Sequence, residues 1–191
     1  MTPVVLRTDR LVLDQPLEED VDDIVRYCQD PLFERYLTVP WPYGRADAES
    51  FVREFVPQGW MDGRECTWAL RLRDEGALLG VVAFRSERSD LGYWLGAPFR
   101  GRGYMSEAVA AVVDFAFQSG VPLVRWECLV GNTASATLAR KAGFAFTGEA
   151  PSSVPYRDGS FPASWHGVLH ASQQRPAGSS QLRQSLQWPL P

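Results

Sequence analysis

Three short apolar runs in a row, then a glycine-rich loop and a helix with one apolar face, constrain this chain more than any other feature. "CTWALRLR" (66–73) and "LLGVVAFRS" (78–86) flank the polar turn "DEGA", a hairpin signal. "DLGYWL" (90–95) is short enough for a third antiparallel strand. The loop "PFRGRGYMSEA" (98–108) then runs into Val109, Val112, Val113, Ala116 and Phe117, which recur on one helical face and stop at "SG" (119–120). A meander therefore leads straight into the loop.

The flanking segments extend this pattern. "RLVLDQPL" (10–17) alternates like a strand, and 18–30 places Val21, Ile24, Val25 and Cys28 at helical spacing behind an acidic first turn. Residues 45–63 predict a second helix with Phe51, Val52 and Phe55 on one face, disturbed at Pro57 and closed by Gly59 or Gly63. After the loop and its helix come a strand "LVRWECLV" (123–130), a helix capped by Asn132 and closed by Gly143, the strand "FAFTGE" and a last strand near "SWHGVLH". The predicted order is β-α-α-β-β-β-α-β-α-β, then a final strand.

With 191 residues, 45% of them hydrophobic, the chain has material for one core. We expect one domain over 1–170 and a Ser/Gln/Pro-rich tail over 171–191. Leu182, Leu186 and Trp188 are costly to expose, so the tail is expected to dock on the domain or on a second copy, as in a homodimer. A net charge of −4 with interspersed signs offers no face for a phosphate backbone, which argues against nucleic acid. No apolar run approaches the ~20 residues that span a bilayer, and the N-terminus lacks a signal-peptide pattern; a cytoplasmic protein is expected. Cys28, Cys66 and Cys128 are widely spaced and fit buried thiols better than a disulfide framework or zinc site. His166 and His170 sit in a strand-like run, ~13 Å apart by strand geometry, too far for one metal ion.

What the loop holds follows from its glycines. Gly101 and Gly103 let the backbone turn tightly and aim successive N–H groups at one point, where the next helix adds its unpaired amides and positive dipole end. The alternatives are a phosphate or pyrophosphate site, with Arg100 and Arg102 adding charge at its rim, or a plain turn. A Walker loop is excluded because no Gly-Lys-Ser/Thr follows, and a dinucleotide fingerprint because Ser106 stands where its third glycine belongs.

The order strand, R-x-x-G-x-[G/A] loop, helix resembles the acyl-CoA pyrophosphate loop of the GNAT superfamily of N-acyltransferases. Arg100 and Gly103 match, whereas Met105 departs from the usual Gly or Ala. "LRTDRLVL", "DLGYWLGAPFRGRGYMSEAV" and "NTASATLARKAGF" resemble, in order and spacing, the branch of ribosomal-protein N-terminal acetyltransferases, the last through Asn132, Ser135, Gly143 and Phe144. The resemblance covers about residues 5 to 170 and implies an α/β (α+β) GNAT fold: a mixed, mostly antiparallel sheet whose strands 4 and 5 splay, with helices on both faces. It implies acetyl-CoA or another acyl-CoA as co-substrate and no metal.

Carried over residue by residue, the resemblance implies that backbone groups of Trp94 and Leu95 pair with pantetheine. The pyrophosphate would lie over Arg100, Gly101, Arg102, Gly103, Tyr104 and Met105. Asn132 would bond the pantetheine near its reactive end, or act only as an N-cap. The attacking amine must lose a proton; Asp90 and Glu127 are the candidate bases, with a solvated strand end and a pairing to Arg125 as their alternatives. Many members protonate the leaving thiolate with a tyrosine where this chain has Ala139; Ser135 matches the serine that the ribosomal-type branch carries one turn into this helix, and the resemblance implies that its hydroxyl donates to sulfur, with bonding to nearby backbone as the alternative. Trp41, Tyr43 and Trp60 would wall the amine side and Tyr93 would lie near the thioester, unless these rings are core packing. Three functions fit: acetylation of a protein or peptide α-amine, acylation (acetyl or succinyl) of a small amine such as an antibiotic or amino acid, and acyl-CoA binding without catalysis.

Overall fold

In the computed structural model, which describes residues 2–173 and 186–190, eight strands form one sheet in the order β1-β2-β3-β4-β5-β6-β8-β7. They are β1 (Leu6–Arg7), β2 (Leu11–Asp14), β3 (Glu65–Leu72), β4 (Leu78–Arg85), β5 (Asp90–Leu95), β6 (Leu123–Leu129), β7 (Ala145–Pro151) and β8 (Ala163–His170). All neighbours are antiparallel except β5 and β6, which run parallel and share a single register pair, Asp90 with Arg125. Beyond that pair the two strands splay, and the gap between them is where a ligand can reach free backbone groups.

Two helical layers cover the sheet. On one face lie α5 (Tyr104–Gln118) and α6 (Thr133–Lys141), whose Val109, Val112, Ala136 and Ala139 are fully buried in the main core with Trp68, Val82 and Trp126. On the other lie α1 (Val21–Cys28), α2 (Pro31–Tyr36) and α3 (Arg45–Ser50), packing Ile24, Phe33 and Ala48 around Ala69 and Leu78. The period-2 alternation of β3, β4 and β5 supplies both layers.

Three departures from the sequence reading have local causes. The expected helix over 45–63 runs unbroken as α3, a π-helical turn (Phe51–Phe55) and α4 (Val56–Asp62), so the irregularity lies in the turn just before Pro57. Gly63 closes it at φ 69°. The short α2 was not expected, although Asp30 accepts the Leu32 N–H and Pro31 opens the helix, a standard start signal. The last two strands are out of sequence order, since β8 inserts between β6 and β7.

Of the tail, Leu182 lies outside the described residues. Leu186 remains largely exposed but its N–H donates to the Phe146 carbonyl at 3.2 Å. Trp188 sets its ring 5.5 Å from Trp126 and 5.4 Å from Phe146. The described end of the tail thus docks on its own domain.

Candidate active site

The loop before α5 is built as its glycines predict. Gly101 and Gly103 both have positive φ, 77° and 80°, a region that side chains enter only with strain. Gly103 is the N-cap of α5, so the amides of 104–106 open into a groove of about 670 Å³. Glycines 101 and 103, Tyr104 and Met105 line one end of that groove; Asn132, Ser135 and Leu138 line its flank, and α2 lines the other end with Leu32, Phe33 and Tyr36.

The loop is pinned by Arg10, a residue far from it in sequence. Arg10 donates through Nε to Glu107 at 2.6 Å and through Nη1 to the Arg102 carbonyl at 3.0 Å, and its guanidinium sits 4.8 Å over the Tyr104 ring. Glu107 also accepts from Thr8 and the Arg10 amide. Burial works against that carboxylate's charge, but these bonds outweigh it and hold its pKa below the ordinary value.

Arg100, expected at the phosphate rim, lines the groove but has its guanidinium engaged: its Nε donates to the Leu95 carbonyl at 3.0 Å and its Nη1 pairs with Asp30 at 2.8 Å, over the Phe33 ring. It ties the end of β5 to the start of α2. Arg102 is exposed, and the Met105 side chain is buried in the core, leaving only its backbone near the groove.

The β5 edge also differs in detail. Gly96 N–H bonds the Leu79 carbonyl, and antiparallel alternation then turns the backbone groups of 90, 92 and 94 toward β4 and those of 91, 93 and 95 toward β6. Trp94 therefore contributes its ring, packed 5.6 Å from Phe33, and Tyr93 and Leu95 contribute the backbone that faces the gap.

The two carboxylates separate. Asp90 is buried and accepts from Arg85 at 2.8 and 3.1 Å and from Arg88 at 3.1 Å, so both of its oxygens are engaged by guanidinium groups. Glu127 accepts instead from the Ser153 backbone at 3.0 Å and from its hydroxyl, with His166 Nδ1 at 3.8 Å; it is not held by Arg125, which donates to the Arg88 carbonyl. Glu127 and His166 line a second, polar cleft, and His166 Nε2 is buried there without a partner among the described residues.

On the opposite face of β6, one residue away, Trp126 donates its indole N–H toward both the Tyr93 hydroxyl, at 3.0 Å, and Ser135 Oγ, at 3.2 Å. Those two oxygens lie 2.8 Å apart. Burial pushes the Tyr93 phenol up to about 12, so it is neutral at physiological pH. Asn132 Oδ1 accepts the Ser135 N–H, an N-cap, while the residue still lines the groove.

The expected aromatic wall is elsewhere. Trp60 is a core residue, its ring 5.0 Å from Trp68 and its N–H on the Thr67 carbonyl; Tyr43 is buried, and Trp41 packs on the same α1–α3 core. None lines the groove; α2 holds that place with Phe33 and Tyr36. Burial also pushes the Cys28 and Cys128 thiols up to about 12 and that of Cys66 up to about 11, so all three are inert thiols. Among the described residues no cluster of His, Cys, Asp and Glu can hold a metal, and no helix is long and apolar enough to cross a membrane.

A splayed β5/β6 pair, a glycine loop at a helix start and a groove joining them define an acyl-CoA-dependent acetyltransferase. The acetyltransferase (GNAT) domain model matches residues 10–145, and the chain belongs to that family. It is 26% identical over 146 residues to the uncharacterised N-acetyltransferase YoaA of Bacillus subtilis, covering 73% of this chain and 82% of the relative. Its fold matches a Vibrio cholerae protein proposed as a ribosomal-protein-serine acetyltransferase, with TM-score 0.76, 24% identity and coverage of 89% and 99%. It also matches the Salmonella typhimurium acetyltransferase that modifies the N-terminal serine of ribosomal protein L7/L12, with TM-score 0.74, 18% identity and coverage of 87% and 99%. The protein is an N-acetyltransferase that uses acetyl-CoA.

Proposed function

We propose that the protein acetylates the α-amine of a protein or peptide N-terminus in the cytoplasm. The observation that carries this reading is the placing of Glu127 and Ser135 on opposite faces of the splayed gap, each lining its own cleft. An amine entering from the Glu127 side attacks the thioester carbon while sulfur leaves toward Ser135. In this reading pantetheine pairs with the free edge of β5, its pyrophosphate rests on the amides of 101–105, and Asn132 flanks the reactive end.

The chemistry favours an α-amine. Its pKa of about 7.7–8.0 leaves a usable neutral fraction at physiological pH, whereas a lysine near 10.4 does not. Glu127 has only to collect one proton, directly or through a water, and positioning supplies ~7–11 kcal/mol of the barrier. The fold likeness to an enzyme that modifies an N-terminal serine agrees with this choice.

Glu127→Gln tests the assignment. It keeps the Ser153 contacts and removes the base, so kcat should fall ~10²-fold and recover as pH rises and the amine deprotonates unaided. An unchanged pH profile would assign the base elsewhere.

A further inference from the structure

The absence of a tyrosine at Ala139 leaves open where the leaving sulfur finds its proton, and the contacts around Trp126 answer it. An indole N–H is a donor only, while each hydroxyl donates once and accepts twice. In the triangle of Trp126, Tyr93 and Ser135 there are three protons. The indole proton points at both oxygens, and one hydroxyl proton spans the 2.8 Å between them. One hydroxyl proton is left over, and both hydroxyls belong to side chains that line the acyl-CoA groove.

The direction of that chain follows from acidity. A phenol is a far stronger acid than an aliphatic alcohol, so Tyr93 donates to Ser135 Oγ, and the Ser135 proton is the one left for the groove. Cys128, two residues beyond Trp126 on the same strand, also has its sulfur within hydrogen-bond reach of Ser135, but as a neutral thiol it is only a weak acceptor, and its own S–H is given to the Asn132 carbonyl at 3.6 Å.

We propose that Tyr93 is a proton-relay residue acting through Ser135, taking from strand β5 the part that a helix tyrosine plays in relatives. The proposal rests on Ser135 being the donor to sulfur. As the C–S bond breaks, its electron pair goes to sulfur. Sulfur takes the Ser135 proton, and the Tyr93 proton moves onto Ser135 Oγ. Burial disfavours the resulting phenolate, so it is transient: the Trp126 N–H is its one fixed donor in the triangle, and a solvent proton restores it once CoA has left. The proton that the amine gives up leaves separately on the Glu127 side, so the reaction is balanced overall.

The test compares Tyr93→Phe, Ser135→Ala and the double variant by kcat, acetyl-CoA dissociation constant and solvent deuterium isotope effect on kcat. Phe keeps the ring and its packing. Tyr93→Phe should lower kcat ~10- to 100-fold, leave the dissociation constant within about twofold and shrink the isotope effect, and the double variant should be no slower than Ser135→Ala. Parent-like kcat in Tyr93→Phe with a slow Ser135→Ala overturns the relay but leaves Ser135 as the donor. Parent-like kcat in both overturns the donor as well. Losses that multiply in the double variant also overturn the relay, since groups in one proton path are not additive. If Tyr93→Phe folds poorly, fluorotyrosine at position 93 keeps ring and hydroxyl; the relay requires it to stay within ~10-fold of the parent in kcat with a full isotope effect, and a loss beyond that overturns it.

Discussion

Arg10 and Glu107 are joined by a 2.6 Å ion pair across 97 positions of sequence, and the same guanidinium holds the Arg102 carbonyl. The pair fastens the start of the sheet to the first turn of α5, so the shape of the glycine loop depends on a residue outside it. Arg10→Ala should raise the acetyl-CoA dissociation constant ~3- to 10-fold, as expected for a half-exposed pair worth about 1 kcal/mol. Calorimetric titration checks this. Unchanged affinity would mean that the loop holds its shape alone.

Gly103 is a sharper point of dependence. Its φ of 80° is strained for any other residue, and an added Cβ would come within 3.4 Å of Arg10 Nη2. Gly103→Val should abolish measurable acetyl-CoA binding while costing ~1–2 kcal/mol of stability, which leaves the domain folded. Retained affinity would remove the anion site from the loop.

Gly80 on β4 carries a different constraint. A Cβ there would meet the Trp94 carbonyl oxygen at 2.3 Å and the Leu95 Cα at 2.9 Å, both backbone, so β5 itself would have to move. Gly80→Ala should cost ~1–3 kcal/mol and raise the KM for acetyl-CoA, because the displaced strand edge is the one that faces the groove. A variant with parental melting temperature and KM would contradict this geometry.

Trp188 should matter to stability. Its ring covers Trp126 and Phe146, and Trp188→Ala exposes both, at ~1–3 kcal/mol for a partly buried aromatic. The corresponding fall of several degrees in melting temperature is measurable by calorimetry. No fall would mean that the segment leaves the domain in solution.

Much of this architecture is legible in the residues. The hairpin, the third strand, the glycine loop and α5 announce themselves through periodicity and turn chemistry, and the motif order carried the family. Whether an aromatic residue faces a core or a cleft is not a local property: Trp60 and Tyr43 have the composition of a binding wall and pack inside instead. Asp90 and Glu127 look alike on their strands, and only the arginines that converge on Asp90 separate them. The contact of Tyr93 with Ser135 spans 42 positions and arises because β5, β6 and α6 meet, which no window of sequence reports. Arg10 is hidden for the same reason. By contrast, α2 had a readable start in Asp30 and Pro31, masked by its six-residue length.

The most direct measurement incubates the protein with acetyl-CoA and a mixture of peptides with free N-termini, the same peptides with blocked N-termini and free lysines, and small amines, and reads the products by mass spectrometry. A gain of one acetyl group on free N-termini, absent from blocked peptides and weaker on the small amines, is the predicted result. Acetylation confined to small amines or lysines, or no acetyl transfer to any amine, would contradict the account.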